Sequence, residues 1–154
     1  MKFTPILVFA TTYALFLVSG FLFRLDRGWY DALAKPSWTP SGGTIGLVWA
    51  VLFACIAASL ALLDAKVGIL ALGPWLTAAI LANWLTNQAY TYFQFTRHDW
   101  FGAGIDAALV AVTAFAVVAL AWKVSKPAAL LYVPYGLWAT FATYLSFLFW
   151  SLNR

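Results

Sequence analysis

Four side chains that can hydrogen-bond lie on one face of one segment. Asn83, Asn87, Tyr90 and Gln94 fall at i, i+4, i+7 and i+11, a single stripe of an α-helix. Their surroundings are apolar enough to cross a bilayer, where polar groups facing lipid are costly. The stripe therefore lines a cavity or bonds to neighbouring helices, a contact worth about 1 kcal/mol or less in membrane bundles. The cavity is the preferred reading. Gln88 lies off the stripe and reads as helix-to-helix glue. Two further clusters accompany it: Trp49 with Phe53 one turn on, and Tyr135, Trp138 and Ala142 at i, i+3 and i+7. Trp75, Trp100, Trp122 and Trp150 lie near span ends, as an interfacial aromatic belt requires. Trp49 and Trp138 lie several residues inside their spans, and Ala142 leaves room beside the second indole. Such walls suit a flat aromatic ligand oriented by a few amides; ordinary aromatic packing is the alternative.

Other chemistry is poorly provided for. The chain has no glutamate, five aspartates far apart, one histidine (His98) and one cysteine (Cys55). No paired-carboxylate site, metal-ligand set or intrachain disulfide is expected. A net charge of +4, scattered along the chain, suits lipid headgroups rather than nucleic acid. Asp106 is the one acid well inside a helix by count. Pairing with a basic loop residue is the preferred reading, over snorkelling or a proton path.

The elements that must position these groups follow from composition. Of 154 residues, 64% are hydrophobic and 9% charged, against about 25% charged in soluble domains. The chain is read as an integral membrane protein. Spanning takes about 20 apolar residues. The sequence predicts a single all-α bundle of five transmembrane helices near residues 3–23, 44–63, 69–95, 100–122 and 127–152. Pro134 predicts a kink or a re-satisfied turn in the last. Residues 24–43 form a structured loop between helices 1 and 2. Its stretch Trp29–Pro40 combines interfacial aromatics with Lys35-Pro36 and Thr39-Pro40, which shape turns. It is read as a lid with Tyr30 pointing inward. Alanines at 78 and 82, and at 103, 107 and 111, follow the small-xxx-small pattern, and either set could support a homodimer.

The stretch Trp29-Tyr30-Asp31-Ala32-Leu33-x-Lys35-Pro36-Ser37-Trp38-Thr39-Pro40 is one of several motifs occurring in order. Val48-Trp49-Ala50-Val51-Leu52-Phe53, Asn87, and Val133-Pro134-Tyr135-x-Leu137-Trp138-Ala139-Thr140-Phe141-Ala142-Thr143 follow. Together they resemble the tryptophan-rich sensory protein/translocator protein family, which includes the peripheral-type benzodiazepine receptor. The likeness covers essentially the whole chain and is strongest to Bacillus-type bacterial members.

The resemblance implies a homodimeric five-helix bundle in the bacterial cell membrane that binds tetrapyrroles such as protoporphyrin IX. It also implies binding of isoquinoline carboxamide and benzodiazepine-type ligands. Light-dependent oxidative degradation of the porphyrin is the implied activity, with porphyrin transport or sensing without turnover as the alternative. No tightly bound cofactor or metal is implied; the tetrapyrrole is ligand or substrate. Carried over by motif, Tyr30, Trp49, Phe53, Asn87, Tyr90, Trp138 and Ala142 line the pocket, with Trp49 and Trp138 the indoles placed for photochemistry. Asn83, Gln94 and Tyr135 join them from the stripes above. Many relatives carry Trp or Phe where this chain has Tyr90. Phe147 and Ser151 stand where the sterol motif of animal members asks for Tyr and a basic residue, so cholesterol binding is not expected.

Overall fold

The computed structural model describes residues 3–24 and 26–154. Met1, Lys2 and Leu25, the last within the expected lid, lie outside the described residues. All regular structure among them is helical: α1 (Pro5–Leu22), α2 (Arg27–Ala32), α3 (Gly42–Val67), α4 (Pro74–Thr91), α5 (Trp100–Trp122) and α6 (Lys126–Leu152). A 3₁₀ turn, Ile69–Ala71, precedes α4, and a π-type turn, Tyr92–Thr96, follows it.

Local chemistry sets the boundaries. Pro5 and Pro74 open α1 and α4, where the missing N–H costs nothing. Asp26 accepts the Trp29 N–H at 3.0 Å and caps α2. Ser41 accepts the Thr44 N–H at 3.1 Å and starts α3 two residues earlier than expected. At the far end α3 runs on through Asp64 to Val67, because the buried Asp64 carboxylate accepts the N–H groups of Phe3 (2.8 Å) and Ile69 (2.7 Å). Gly68 then turns the chain at φ 88°, open to glycine at no steric cost. The lid contains the helix α2, too short at six residues for a periodic signal. The expected third helix is divided, with α4 flanked by its two irregular turns. α6 runs unbroken through Pro134.

Around the bundle the order is α1, α3, α6, α5, α4, with α5 on α6 the most extensive pairing and α1 on α4 the thinnest. Close approach of α5 and α6 rests on small residues. A Cβ at Gly104 would stand 2.9 Å from the Phe147 ring, and one at Gly136 3.0 Å from Phe115. Ala103, Ala107 and Ala111 are buried in the monomer. This small-residue face is thus spent within the bundle and is not available to a second copy. Gly104→Ala should destabilise the protein by about 1–3 kcal/mol through overpacking, read as a lowered Tm in detergent.

Length and composition mark three of the described helices, α1, α3 and α5, as able to cross a membrane. α4 and α6 fall short in apolar content because they carry the Asn, Gln, Thr, Ser and Tyr side chains that meet inside the bundle.

Candidate functional site

A cavity of about 280 Å³ lies under the lid. Three helices build its walls with one spacing. Gly42, Gly46, Trp49 and Phe53 on α3, and Trp138, Ala142, Leu145 and Phe149 on α6, each fall at i, i+4, i+7 and i+11. The same spacing runs from Asn83, Asn87 and Tyr90 of α4 to Gln94 of the π-type turn that follows it, and all but Asn83 reach the wall. α1 adds Phe16, Leu17, Ser19 and Gly20, and Tyr30 and Trp100 complete the lid side.

Eight of the ten residues expected at a ligand line this cavity: Tyr30, Trp49, Phe53, Asn87, Tyr90, Gln94, Trp138 and Ala142. Asn83 and Tyr135 do not. Asn83 is fully buried, donating to the Val110 carbonyl (3.1 Å) and Thr113 (3.0 Å) and accepting from the Tyr132 hydroxyl (3.1 Å). It joins α4, α5 and α6, so for this residue helix glue displaces the cavity reading. Tyr135 stands behind the wall, where its hydroxyl accepts from Asn87 Nδ2 at 3.1 Å. Its ring meets Trp49 edge-on at 6.0 Å. Asn83→Ala should therefore lower stability by about 1–3 kcal/mol, summing modest intramembrane hydrogen bonds. Ligand affinity should stay nearly unchanged in a binding titration.

The indoles of Trp49 and Trp138 stand 6.4 Å apart at 85°, forming a corner rather than a stack. Trp49 packs further on Phe53 at 5.6 Å and Trp138 on Phe141 at 5.2 Å. Tyr90 shares a hydrogen bond with Ser146 at 3.2 Å. Among the described residues the buried Nε1 groups of Trp100 and Trp138 have no hydrogen-bond partner. The wall thus combines flat apolar faces with a few amides, which suits a planar aromatic ligand.

The lid is well fastened. Lys35 Nζ lies 4.5 Å over the Tyr30 ring and donates to the Tyr30 carbonyl. Half-burial raises the Tyr30 hydroxyl pKa above its ordinary value, with the nearby Asp31 charge adding to the shift. Tyr30 therefore keeps its proton, and its neutrality, through neutral and mildly alkaline pH. Trp29 lies between two rings, stacked on His98 at 3.8 Å and on Trp100 at 5.8 Å. Trp38 stacks on Tyr144 of α6 at 6.2 Å.

Several groups differ from their expected places. Trp100, expected in an interfacial belt, is 5% exposed and belongs to the cavity. Asp106 is buried and forms no ion pair among the described residues, and its Oδ2 has no hydrogen-bond partner. Asp106 stands in the second turn of α5, on the buried face it shares with Ala103 and Ala107. Gln88 does act as glue, accepting the Ser19 N–H at 2.9 Å. Continuing the Trp138–Ala142 spacing along α6 would have found Leu145 and Phe149. α1 offered only a faint signal: Thr12, Phe16 and Ser19 share a face at i, i+4 and i+7, but most of the helix around them is apolar.

The model of the TspO/MBR family matches residues 7–151. This chain belongs to that family. It is 48% identical to the tryptophan-rich protein TspO of Bacillus cereus, over 99% of both chains. It is 47% identical to the membrane protein YtaB of Bacillus subtilis, over 95% of this chain and 94% of the relative. The human translocator protein is 30% identical over 90% of this chain and 83% of its own. With its apolar helices and close bacillar relatives, the chain is an integral protein of a bacterial membrane.

Proposed function

We propose that this member of the family binds tetrapyrroles, protoporphyrin IX above all, in the cavity under the lid and promotes their light-dependent oxidative degradation. The observation that carries the reading is the corner of Trp49 and Trp138 beside the Asn87 amide in one apolar cavity. At about 280 Å³ the enclosed space is near the lower end of small-molecule sites, roughly 300–1,000 Å³. The edge of a porphyrin would project between the helices. Isoquinoline carboxamide and benzodiazepine-type ligands, smaller aromatics with acceptor groups, suit the same walls.

The chemistry asks little of the chain. The porphyrin absorbs the light and dissolved dioxygen is the oxidant, so no acid–base pair, metal or tightly bound cofactor is needed. The protein holds the ring still, keeps bulk water away and brings two indoles within reach of the excited ligand. Five membrane spans, α1, α3, α4, α5 and α6, belong to this reading, as does a homodimer. Ala78 is exposed and Ala82 partly so on α4, which leaves that face free for a second copy.

Illuminated protoporphyrin should disappear faster with the purified protein than with empty nanodiscs, giving a protein-dependent product. Equal loss in both would remove the degradative activity. The second reading is transport or sensing without turnover, which the apolar cavity suits equally well. Uptake of porphyrin into proteoliposomes in the dark would support transport.

A further inference from the structure

We propose that the cavity is loaded sideways from the bilayer, through a portal between α1 and α3 rimmed by Gly20, Gly42 and Gly46, while the lid serves as a fixed roof. This rests on the reading that the cavity holds a flat amphiphilic ligand.

All three glycines line the cavity and all three are exposed. A Cβ built on any of them would meet no described atom within 4 Å beyond its own chain neighbours and helix backbone. Below them the seam is closed, because Phe16 of α1 packs on Phe53 of α3 at 5.2 Å. The opposite side of α1 is tied to α4. The Ser19 N–H donates to Gln88 at 2.9 Å, the Leu15 carbonyl accepts the Trp84 indole N–H at 3.0 Å, and Thr91 donates to Ser19 at 3.2 Å. α1 is thus fastened on one side and open at one level on the other.

The roof is pinned at both ends. Beyond the Trp29 sandwich and the Trp38 stack, Asn153 at the end of α6 clasps Ala34 as a paired strand would. Its Oδ1 accepts the Ala34 N–H at 2.8 Å and its Nδ2 donates to the Ala34 carbonyl at 3.0 Å. Raising the lid would break this pair and unstack three rings together, whereas the glycine seam needs nothing broken.

The level of the portal also fits. Gly20 lies two residues before the end of α1 and Gly42 begins α3, so the opening meets the boundary between acyl chains and headgroups. Planar amphiphiles with carboxylates settle at that depth, apolar body inward and charges in the wet layer.

The test plugs the portal after folding. Gly46→Cys, in a Cys55→Ala background, is labelled in nanodiscs with a bulky thiosulfonate reagent that a reductant later removes. Association and release of protoporphyrin IX should both slow by about tenfold and recover on reduction, as gating requires. Asn153→Ala should leave both rates within about twofold. Unchanged rates after labelling, slower association with faster release, or about tenfold faster exchange in Asn153→Ala would each overturn the proposal. A ligand-independent arm separates the portal from the binding reading. A nitroxide on the same cysteine should collide more with dissolved oxygen than with a water-soluble nickel complex. The reverse order would place the opening in water and overturn the lateral route even if no porphyrin bound.

Discussion

Replacing Ala142 with phenylalanine should lower protoporphyrin affinity by about a hundredfold, or about 2.7 kcal/mol. Ala142 lies one turn from Trp138 and one from Leu145 on the cavity face of α6, and it also borders a small void reached by Trp49, Asn87 and Tyr90. A phenyl ring there has nowhere to go but into the ligand's volume. Because the ring fills space that is already open, Tm should hold steady or rise, as cavity filling often allows. That pairing of lost binding with kept stability separates an occupied site from a damaged fold. A titration of the Soret band, run beside a thermal melt, reads both. Loss of binding together with a collapse of Tm would mean that the substitution had broken the α6 packing instead.

The double substitution Trp49→Phe/Trp138→Phe should reduce the protein-dependent photoproduct by more than about tenfold while weakening binding only several-fold. Phenylalanine keeps an aromatic wall at both positions. It gives up the extended, easily oxidised indole and, at position 138, the buried N–H that has no partner among the described residues. A residue that only positioned the ring would lose turnover in proportion to binding. A residue that takes part in the light-driven step loses turnover at saturating porphyrin. The decisive figure is thus the rate of product formation at full occupancy under constant illumination. An unchanged rate there would remove both indoles from the chemistry and leave them as walls.

Much of this site was legible in the sequence because polar and aromatic groups are conspicuous against an apolar background. The α4 stripe, the α3 pair and the α6 cluster each stood out by spacing. What spacing could not resolve was depth. Asn83 and Asn87 share one face one turn apart, yet Asn83 is consumed by Tyr132, Thr113 and the Val110 carbonyl while Asn87 reaches the wall. The difference lies in what α5 and α6 present opposite each amide, which a single helix cannot reveal. α1 was nearly silent because a mostly apolar helix marks its inner face only by Thr12 and Ser19, although Phe16, Leu17 and Gly20 help to enclose the cavity. The alanines of α5 read equally well as an inner or an outer surface. They are inner because α6 supplies Phe147 to fill the space beside Gly104.

The chain's nine tryptophans supply the most direct test of where the porphyrin sits. Reactive oxygen formed on an excited porphyrin attacks the indoles nearest to it. Brief illumination of the porphyrin-loaded protein, followed by peptide mass spectrometry, reads that proximity residue by residue. A ligand in the cavity should oxidise Trp49 and Trp138 first, although both are partly buried. Trp75 and Trp122, at the other end of the bundle and 78% and 45% exposed, should lag behind them. Trp75 and Trp122 oxidised first, or all nine oxidised in order of exposure, would contradict a tetrapyrrole site under the lid.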